Sequence, residues 1–449
     1  MMNTPICDFV NAYAKSGNVR LHMPGHKGAD FMGVEKNDIT EIDGADVLSA
    51  PKGIIAQSQR NASELFSSGA TFYSCEGSSL AIRAMLCLAM RHSADCGQEG
   101  RPLVFAARNV HNVFVSAAAL LDFDVEWLCP ENRGDIIQCL ITPELLDGRL
   151  SSASKKPFAV YITSPDYLGN IADIKGLSAV CRRHGVLLLV DNAHGAYLNF
   201  LPESRHPLHL GADMCCDSAH KTLPVLTGGA YLHISKHAPQ NLKNFALKAM
   251  SLFASTSPSY LILQSLDAAN RFIADGFCEK LKAAAKRVAE LKSKLEAKGF
   301  TFVGDEEMKL TIFAKPYGYE GAQLADILRH SGIECEFSDT DFIVFMFTVQ
   351  NTENDFERLE SALLAIPRKD AVAAKQLRLP RPKRAMSIRE AVFSPSVTRP
   401  VEECAGRVFA GSTVSCPPAI PIVVCGETVE ADSIEFLKYY GVAECEVVI

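Results

Sequence analysis

Over the first 240 residues, short apolar runs alternate with stretches whose apolar positions recur every three or four residues. The runs at 70–74, 102–107, 124–128, 158–163, 186–190 and 229–234 predict strands, because each is too short for a buried helix and is bounded by turn-forming residues. Residues 78–91, 112–121 and 174–184 carry the helical period between them. That alternation predicts an α/β fold with a mainly parallel sheet covered by helices on both faces. In such sheets ligands collect beyond the carboxyl ends of the strands, where Glu76, His111, Asp191 and Lys221 all fall.

Residues 260–298 read as one long connector helix, with lysines opposite an apolar stripe. A second α/β pattern follows: strand-like runs at 300–303, 310–314, 333–337 and 342–347, and helices at 322–330 and from residue 353. Residues 376–400, rich in Pro, Arg and Lys, predict a linker with a solvated charge run, and 419–424 is a last apolar run. The resulting expectation is four segments: an N-terminal piece at 1–50, a large domain at 51–260, a connector and smaller α+β domain at 261–375, and a C-terminal part at 376–449. No repeat is present.

Composition narrows the classes. A chain of 449 residues, 48% hydrophobic and 22% charged, has the balance of a multi-domain globular protein. A formal net charge of -7 offers no basic field, so a nucleic-acid partner is not expected. No secretory leader and no membrane-length apolar run is visible. The 15 cysteines are scattered without a C-x-x-C pair, which predicts reduced thiols and a cytoplasmic protein.

The chemistry concentrates in two blocks. Asp191-Asn192-Ala193-His194-Gly195 closes an apolar strand, and Asp217-Ser218-Ala219-His220-Lys221-Thr222 follows about thirty residues later. Pyridoxal 5'-phosphate needs such a pair: a lysine amine to hold its aldehyde as a Schiff base, and a carboxylate to keep the pyridine nitrogen protonated. Glu76-Gly77-Ser78-Ser79, between a strand and a helix, offers hydroxyls and backbone N–H groups to a phosphate, although an ordinary N-cap explains it equally. His111 past a strand could stack on a ring or be structural. Asp191 could cap a turn, and Lys221 could be a solvated lysine. His206-Pro207-Leu208-His209 lacks the helical acid of a zinc motif, so no metal is expected, and no G-x-S-x-G elbow, P-loop or G-x-G-x-x-G occurs.

Five blocks in order, Leu21-His22-Met23-Pro24-Gly25-His26-Lys27-Gly28, the stretch from Asp38 to Asp46, Ser218 to Pro224, Ser255 to Tyr260, and Pro417-Pro418-Ala419-Ile420-Pro421 with Gly426-Glu427, resemble the Orn/Lys/Arg decarboxylase family in its short bacterial form. The resemblance spans nearly the whole chain. It implies the fold-type-I, aspartate-aminotransferase-like architecture and a carboxy-lyase that converts arginine, lysine or ornithine into CO2 and an amine, a polyamine precursor. By that similarity Lys221 is the Schiff-base lysine, Asp191 the partner of the ring nitrogen, and His111 the stacking ring. Ser78, Ser79, Ser218 and His220 surround the phosphate with Gly77 allowing approach, and His194 lies near the ring. His220 or Lys221 then protonates Cα. The segment with Ser257 and Tyr260 reaches a neighbouring subunit, implying a homodimer or higher homo-oligomer. Four positions depart from the family pattern: Glu76 for Asn, Asn112-Val113 for Lys-Ser, and Ala419 for Gly.

A cationic substrate terminus needs an acid, for which Asp339, Glu336, Glu402 and Glu403 are candidates. Two competing expectations remain: an aminotransferase or C–S lyase on the same fold, and a catalytically silent homologue that serves as a binding partner.

Overall fold

The computed structural model describes residues 2–130, 139–373, 380–411 and 421–449. In chain order its elements begin α1 (Pro5–Lys15), α2 (Ile54–Leu65), β1 (Ala70–Ser74), α3 (Gly77–Asp95), β2 (Leu103–Ala107), α4 (Asn112–Leu121), β3 (Asp124–Leu128), α5 (Pro143–Ser152) and β4 (Ala159–Thr163). They continue α6 (Ile174–His184), β5 (Leu187–Asp191), β6 (Met214–Asp217), α7 (Ala219–Thr222), β7 (Ala230–Ile234), α8 (Gln240–Ser251), α9 (Tyr260–Ala274) and α10 (Phe277–Lys298). The remainder is β8 (Thr301–Val303), β9 (Lys309–Phe313), α11 (Gly321–His330), β10 (Phe337–Ser338), β11 (Phe342–Met346), α12 (Glu353–Ala365), α13 (Ile388–Phe393), β12 (Ser396–Pro400), α14 (Ala431–Tyr439) and β13 (Glu444–Val448).

The chain forms two compact units, each built from two stretches: Met1–Glu99 with Cys181–Leu281, and Gly100–Val180 with Lys282–Ile449. This corrects the expectation of consecutive segments cut at 50, 260 and 375. Apolar periodicity marks elements, but it does not say which of them share a core.

In the first unit the strands are ordered β1-β7-β6-β5. β5 and β6 pair in parallel, whereas β7 runs antiparallel to both β6 and β1. Two reversals make β1, β5 and β6 point the same way, so Ser74, Asp191 and Asp217 end at one edge. All five residues of β5 are buried, as a doubly covered strand requires. The first-turn N–H groups of α1 at Ile6 and Cys7 both donate to Asp267 Oδ2 on α9, at 2.9 and 3.0 Å. That carboxylate satisfies donors that a helix start leaves orphaned. The expected single connector helix is two helices, α9 and α10, broken at Asp275-Gly276. There the chain turns through a φ of +72° that suits only glycine without strain.

In the second unit β4, β2 and β3 are parallel neighbours. A four-stranded antiparallel sheet, β10-β11-β9-β8, forms the smaller pattern foreseen after residue 300. β12 and β13 pair as a ribbon over a cluster that includes Val401, Phe436 and Val447. The predicted linker at 376–400 therefore contains a helix and a strand, α13 and β12, while residues 376–379 and 417–420, with Ala419, lie outside the described residues. Sequence reasoning gave no sign of the buried ion pair at the end of β2. The Arg108 guanidinium donates from Nη1 and Nη2 to both carboxylate oxygens of Glu427 at 2.7 Å, and also to the carbonyls of Pro421 and Ile422 at 3.2 and 3.0 Å. Both side chains are nearly inaccessible, at 3% and 5% exposure. The guanidinium also sits 5.4 Å from the Trp127 ring centroid.

Candidate active site

Parallel pairing puts the ends of β5 and β6 side by side, with Asp191 opposite Cys216. Asp191 is 2% exposed, and its Oδ1 accepts from the N–H of Ala193 at 3.2 Å and lies 3.6 Å from the Cys216 thiol. β6 runs directly into Ser218 and the single turn of α7, which carries His220 and Lys221. Lys221 Nζ lies 3.0 Å from His194 Nε2, three residues past Asp191. The lysine block and the acid-bearing turn, separate in sequence, therefore meet at one sheet edge.

The third piece arrives from β1. Because β1 runs with β6, the turn at Glu76-Gly77 and the N-terminus of α3 reach the same edge. Ser218 Oγ donates to Ser78 Oγ at 2.8 Å. Gly77 has a φ of +69°, and a Cβ built on it meets nothing within 4 Å, so a ligand can approach closely there, while its own N–H donates to the Gly228 carbonyl at 2.7 Å. Ser79 follows in the first turn of α3, a 19-residue helix whose orphan N–H groups favour an anion. The buried Thr222 Oγ1 has no hydrogen-bond partner among the described residues. These donors fit a phosphate, and Lys221 beside His194 fits an aldehyde. The ring Nδ1 and backbone N–H of His220 both point to the carbonyl of Gly229, at 3.0 and 3.1 Å, which fixes that imidazole against β7.

Glu76 does not face the serine pair as a phosphate-loop residue would. Its Oε1 accepts from the N–H of Ser255 at 2.6 Å, tying the phosphate-side turn to the segment 255–260. Within that segment the structure corrects one expectation. Ser257 is exposed, but Tyr260 is fully buried, and its hydroxyl donates to the carbonyls of Ala45 and Asp46 in its own chain. Burial removes Tyr260 from any neighbour's reach.

The other assigned residues lie in the second unit. His111 is the exposed N-cap of α4, its Nδ1 accepting from the Val113 N–H at 3.2 Å. The acids proposed for a substrate's distal cation are already engaged. Asp339 Oδ1 accepts from the N–H groups of Asp341 and Phe342, Glu336 accepts from Tyr167, Glu402 pairs with Lys438, and Glu403 pairs with Arg399. In the first unit, a cavity of about 190 Å³ beside the 255–258 segment has Glu41 as its lining carboxylate, an acid not singled out from sequence.

Sequence reasoning also missed a buried carboxylate network behind this edge. Asp217, His206 and His233 are each 0% exposed, and their side chains converge. Period-two alternation along β6 puts Cys215 and Asp217 on one face, which was the available signal. Among the described residues the cysteines are free thiols, and no helix is long and apolar enough to cross a membrane.

Comparison with known proteins bears on this arrangement. The family model for the Orn/Lys/Arg decarboxylase major domain matches residues 4–313. An arginine decarboxylase of Bacillus subtilis (strain 168) is 30% identical over 469 residues, covering 97% of this chain and 93% of that protein. An arginine decarboxylase of Bacillus anthracis is 29% identical, over 97% of this chain and 92% of its own length. The lysine decarboxylase LdcF of Francisella novicida superposes with a TM-score of 0.78 at 17% identity, covering 99% of this chain and 81% of that one. Its likeness establishes the fold-type-I architecture.

Proposed function

The chain belongs to the Orn/Lys/Arg decarboxylase family, and on that premise we propose that it removes the α-carboxylate of a basic amino acid as CO2 with pyridoxal 5'-phosphate on Lys221. The observation that carries the reading is the junction at one sheet edge: Lys221 Nζ at 3.0 Å from His194 Nε2, beside the turn that Asp191 begins. Arginine heads the three substrates, because relatives matched over 97% of the chain are named for it.

When bound, pyridoxal phosphate supplies the electron sink for the breaking Cα–carboxylate bond. The chain supplies the rest. Asp191, buried and anchored through Oδ1, holds a proton on the pyridine nitrogen. Ser78, Ser79 and Ser218, with the start of α3, would grip the phosphate, and Gly77 lets it approach. His194 steadies the Lys221 amine. His220, held to Gly229, or Lys221 itself delivers the proton that replaces the carboxylate at Cα. His111 is the ring-stacking residue by family resemblance.

A homodimer is the competent unit in this reading. Leu21 and Phe31 are 89% and 87% exposed in the N-terminal segment, an apolar surface that a second copy would cover. Partial likeness to the cysteine desulfurase IscS of Buchnera aphidicola, 27% identical over 52% of this chain, keeps a C–S lyase as the second reading.

The test is parallel turnover of arginine, lysine and ornithine by purified, cofactor-loaded protein, read as CO2 and amine. Borohydride should fix the cofactor on Lys221. A keto acid or sulfide product, or protein that takes up no cofactor, would overturn the proposal.

A further inference from the structure

Behind the edge that carries Asp191 and Lys221, a row of polar side chains crosses three strands inside an otherwise apolar layer. Strand register places Thr71 opposite His233, and His233 opposite Cys215. Asp217, two residues beyond Cys215, lies on the same face of β6. Its Oδ2 is 3.0 Å from His206 Nε2 and 3.3 Å from His233 Nε2. Its Oδ1 accepts from Asn192 Nδ2 at 2.7 Å. The far nitrogen of His233 meets the Thr71 hydroxyl at 2.8 Å, and Thr71 in turn meets Ser68 at 2.8 Å. Phe66 closes the other side, its ring centroid 4.5 Å from that of His233.

A buried carboxylate is costly unless its oxygens are filled. Here burial alone would raise the Asp217 carboxyl, but the two imidazoles outweigh it and hold the group well below the usual range. Burial also lowers His233 from its ordinary value, which favours its neutral form. The fold retains this arrangement where an apolar trio would pack more simply. Its connections explain why: Asn192 is the residue after Asp191, and Asp217 is the residue before Ser218.

Resting on the reading that Lys221 carries the cofactor, we propose that Asp217, His206, His233 and Asn192 are positioning residues, a buried clamp that fixes the lysine-bearing turn against the turn of Asp191. One Asp217 oxygen holds the Asn192 side and the other holds the histidine side. The Asn192 N–H adds a 3.0 Å bond to the Cys216 carbonyl. Lys221 inherits the placement through its own N–H, which donates to the Ser218 carbonyl at 3.0 Å. The three ligating atoms also lie within 4.8 Å of one another, close enough for a metal ion. The hydrogen bonds from His206 and Asn192 to Asp217 favour the metal-free reading. A metal on His206 Nε2 would leave a buried Nδ1–H without an acceptor.

The experiment uses full-length, cofactor-loaded protein and the variants Asp217→Asn and Thr71→Val. Three quantities are read: the pH midpoint of the visible Lys221–cofactor chromophore, kcat against KM, and metal content. We expect Asp217→Asn to move the midpoint and lower kcat by about 10- to 100-fold with KM little changed, the scale for a misplaced reacting group. Thr71→Val, which removes one hydroxyl at the end of the row, should shift both in the same direction by less. Wild-type midpoint and kcat in Asp217→Asn would overturn the clamp, as would one equivalent of zinc retained by the wild type. Should Asp217→Asn not fold, an unchanged Thr71→Val decides against it. A wild type with no chromophore removes this inference together with the proposed function. A chromophore without CO2 release removes only the decarboxylase reading, and the midpoint then judges the clamp.

Discussion

The sharpest structural prediction concerns the Arg108–Glu427 pair. In Glu427→Ala the guanidinium keeps two carbonyl partners, Pro421 and Ile422, but loses both 2.7 Å charge-assisted bonds, and the Val424 N–H loses its 2.8 Å acceptor. Removing one partner of a buried ion pair leaves an uncompensated charge and costs about 3–5 kcal/mol. The orphaned amide adds about 1 kcal/mol. Replacing both partners, Arg108→Met with Glu427→Leu, removes the charge as well as its partner and should leave little more than the cost of the orphaned Val424 amide. The chain's single tryptophan makes the assay local, because Trp127 lies against Arg108 and its fluorescence reports this unit. With a urea slope of about 3 kcal/mol/M, the single variant should lower the Trp127 midpoint by about 1 M or more at unchanged slope. The double variant should recover most of that loss, a coupling readable from the mutant cycle. A midpoint within about 0.3 M of wild type for Glu427→Ala, on the same slope, would refute the reasoning. So would a double variant as destabilised as the two singles added together.

Three further outcomes are expected. Lys221→Ala should abolish borohydride-resistant cofactor incorporation and lower turnover by at least about 1,000-fold; retained incorporation at another lysine would show the wrong nucleophile. Glu76→Gln keeps an oxygen for the Ser255 N–H and removes a negative charge beside the phosphate-side turn. It should tighten cofactor binding by about fivefold, roughly 1 kcal/mol, in an absorbance titration, and weaker binding would count against that placement. Burial pushes the Asp339 carboxyl up to about 6, with Asp341 adding to the shift and Lys315 opposing it. Because the unfolded value is near 3.9, its contribution to stability is complete below about pH 4 and is lost as pH rises through 6. Asp339→Asn keeps an oxygen for the Asp341 and Phe342 N–H groups, so its stability relative to wild type should grow between pH 4.5 and 7.5 in paired urea midpoints. A constant difference would contradict the assignment.

Local signals carried far into the fold where elements were short and sharply bounded. The strands at 70–74 and 124–128 and the helices at 112–121 and 174–184 match the structure end to end. β6 escaped because Met214-Cys215-Cys216-Asp217 is four residues long and ends in an acid, so neither length nor alternation stands out. α9 and α10 merged because one glycine at 276 interrupts an otherwise continuous helical period. The Pro-rich stretch near 376–400 concealed α13, whose start at Ser387 is closed by Glu390 in a reciprocal cap. The block around Lys221 was legible because its chemistry lies in consecutive residues. Arg108 and Glu427 stand 319 positions apart, and His206, Asp217 and His233 converge only through strand register, which residue patterns do not encode.

The pairing of β1 with β7 also sets a schedule for biosynthesis. Ala70 must wait for Ile234, 164 positions later, before its hydrogen bonds can close. At about 5–20 residues per second, a ribosome leaves that edge bare for roughly 8–33 s. The nascent chain therefore carries an unsatisfied template for intermolecular association through much of its own translation. Holdase chaperones acting before residue 234 emerges should raise the yield of folded enzyme more than the same chaperones supplied after release.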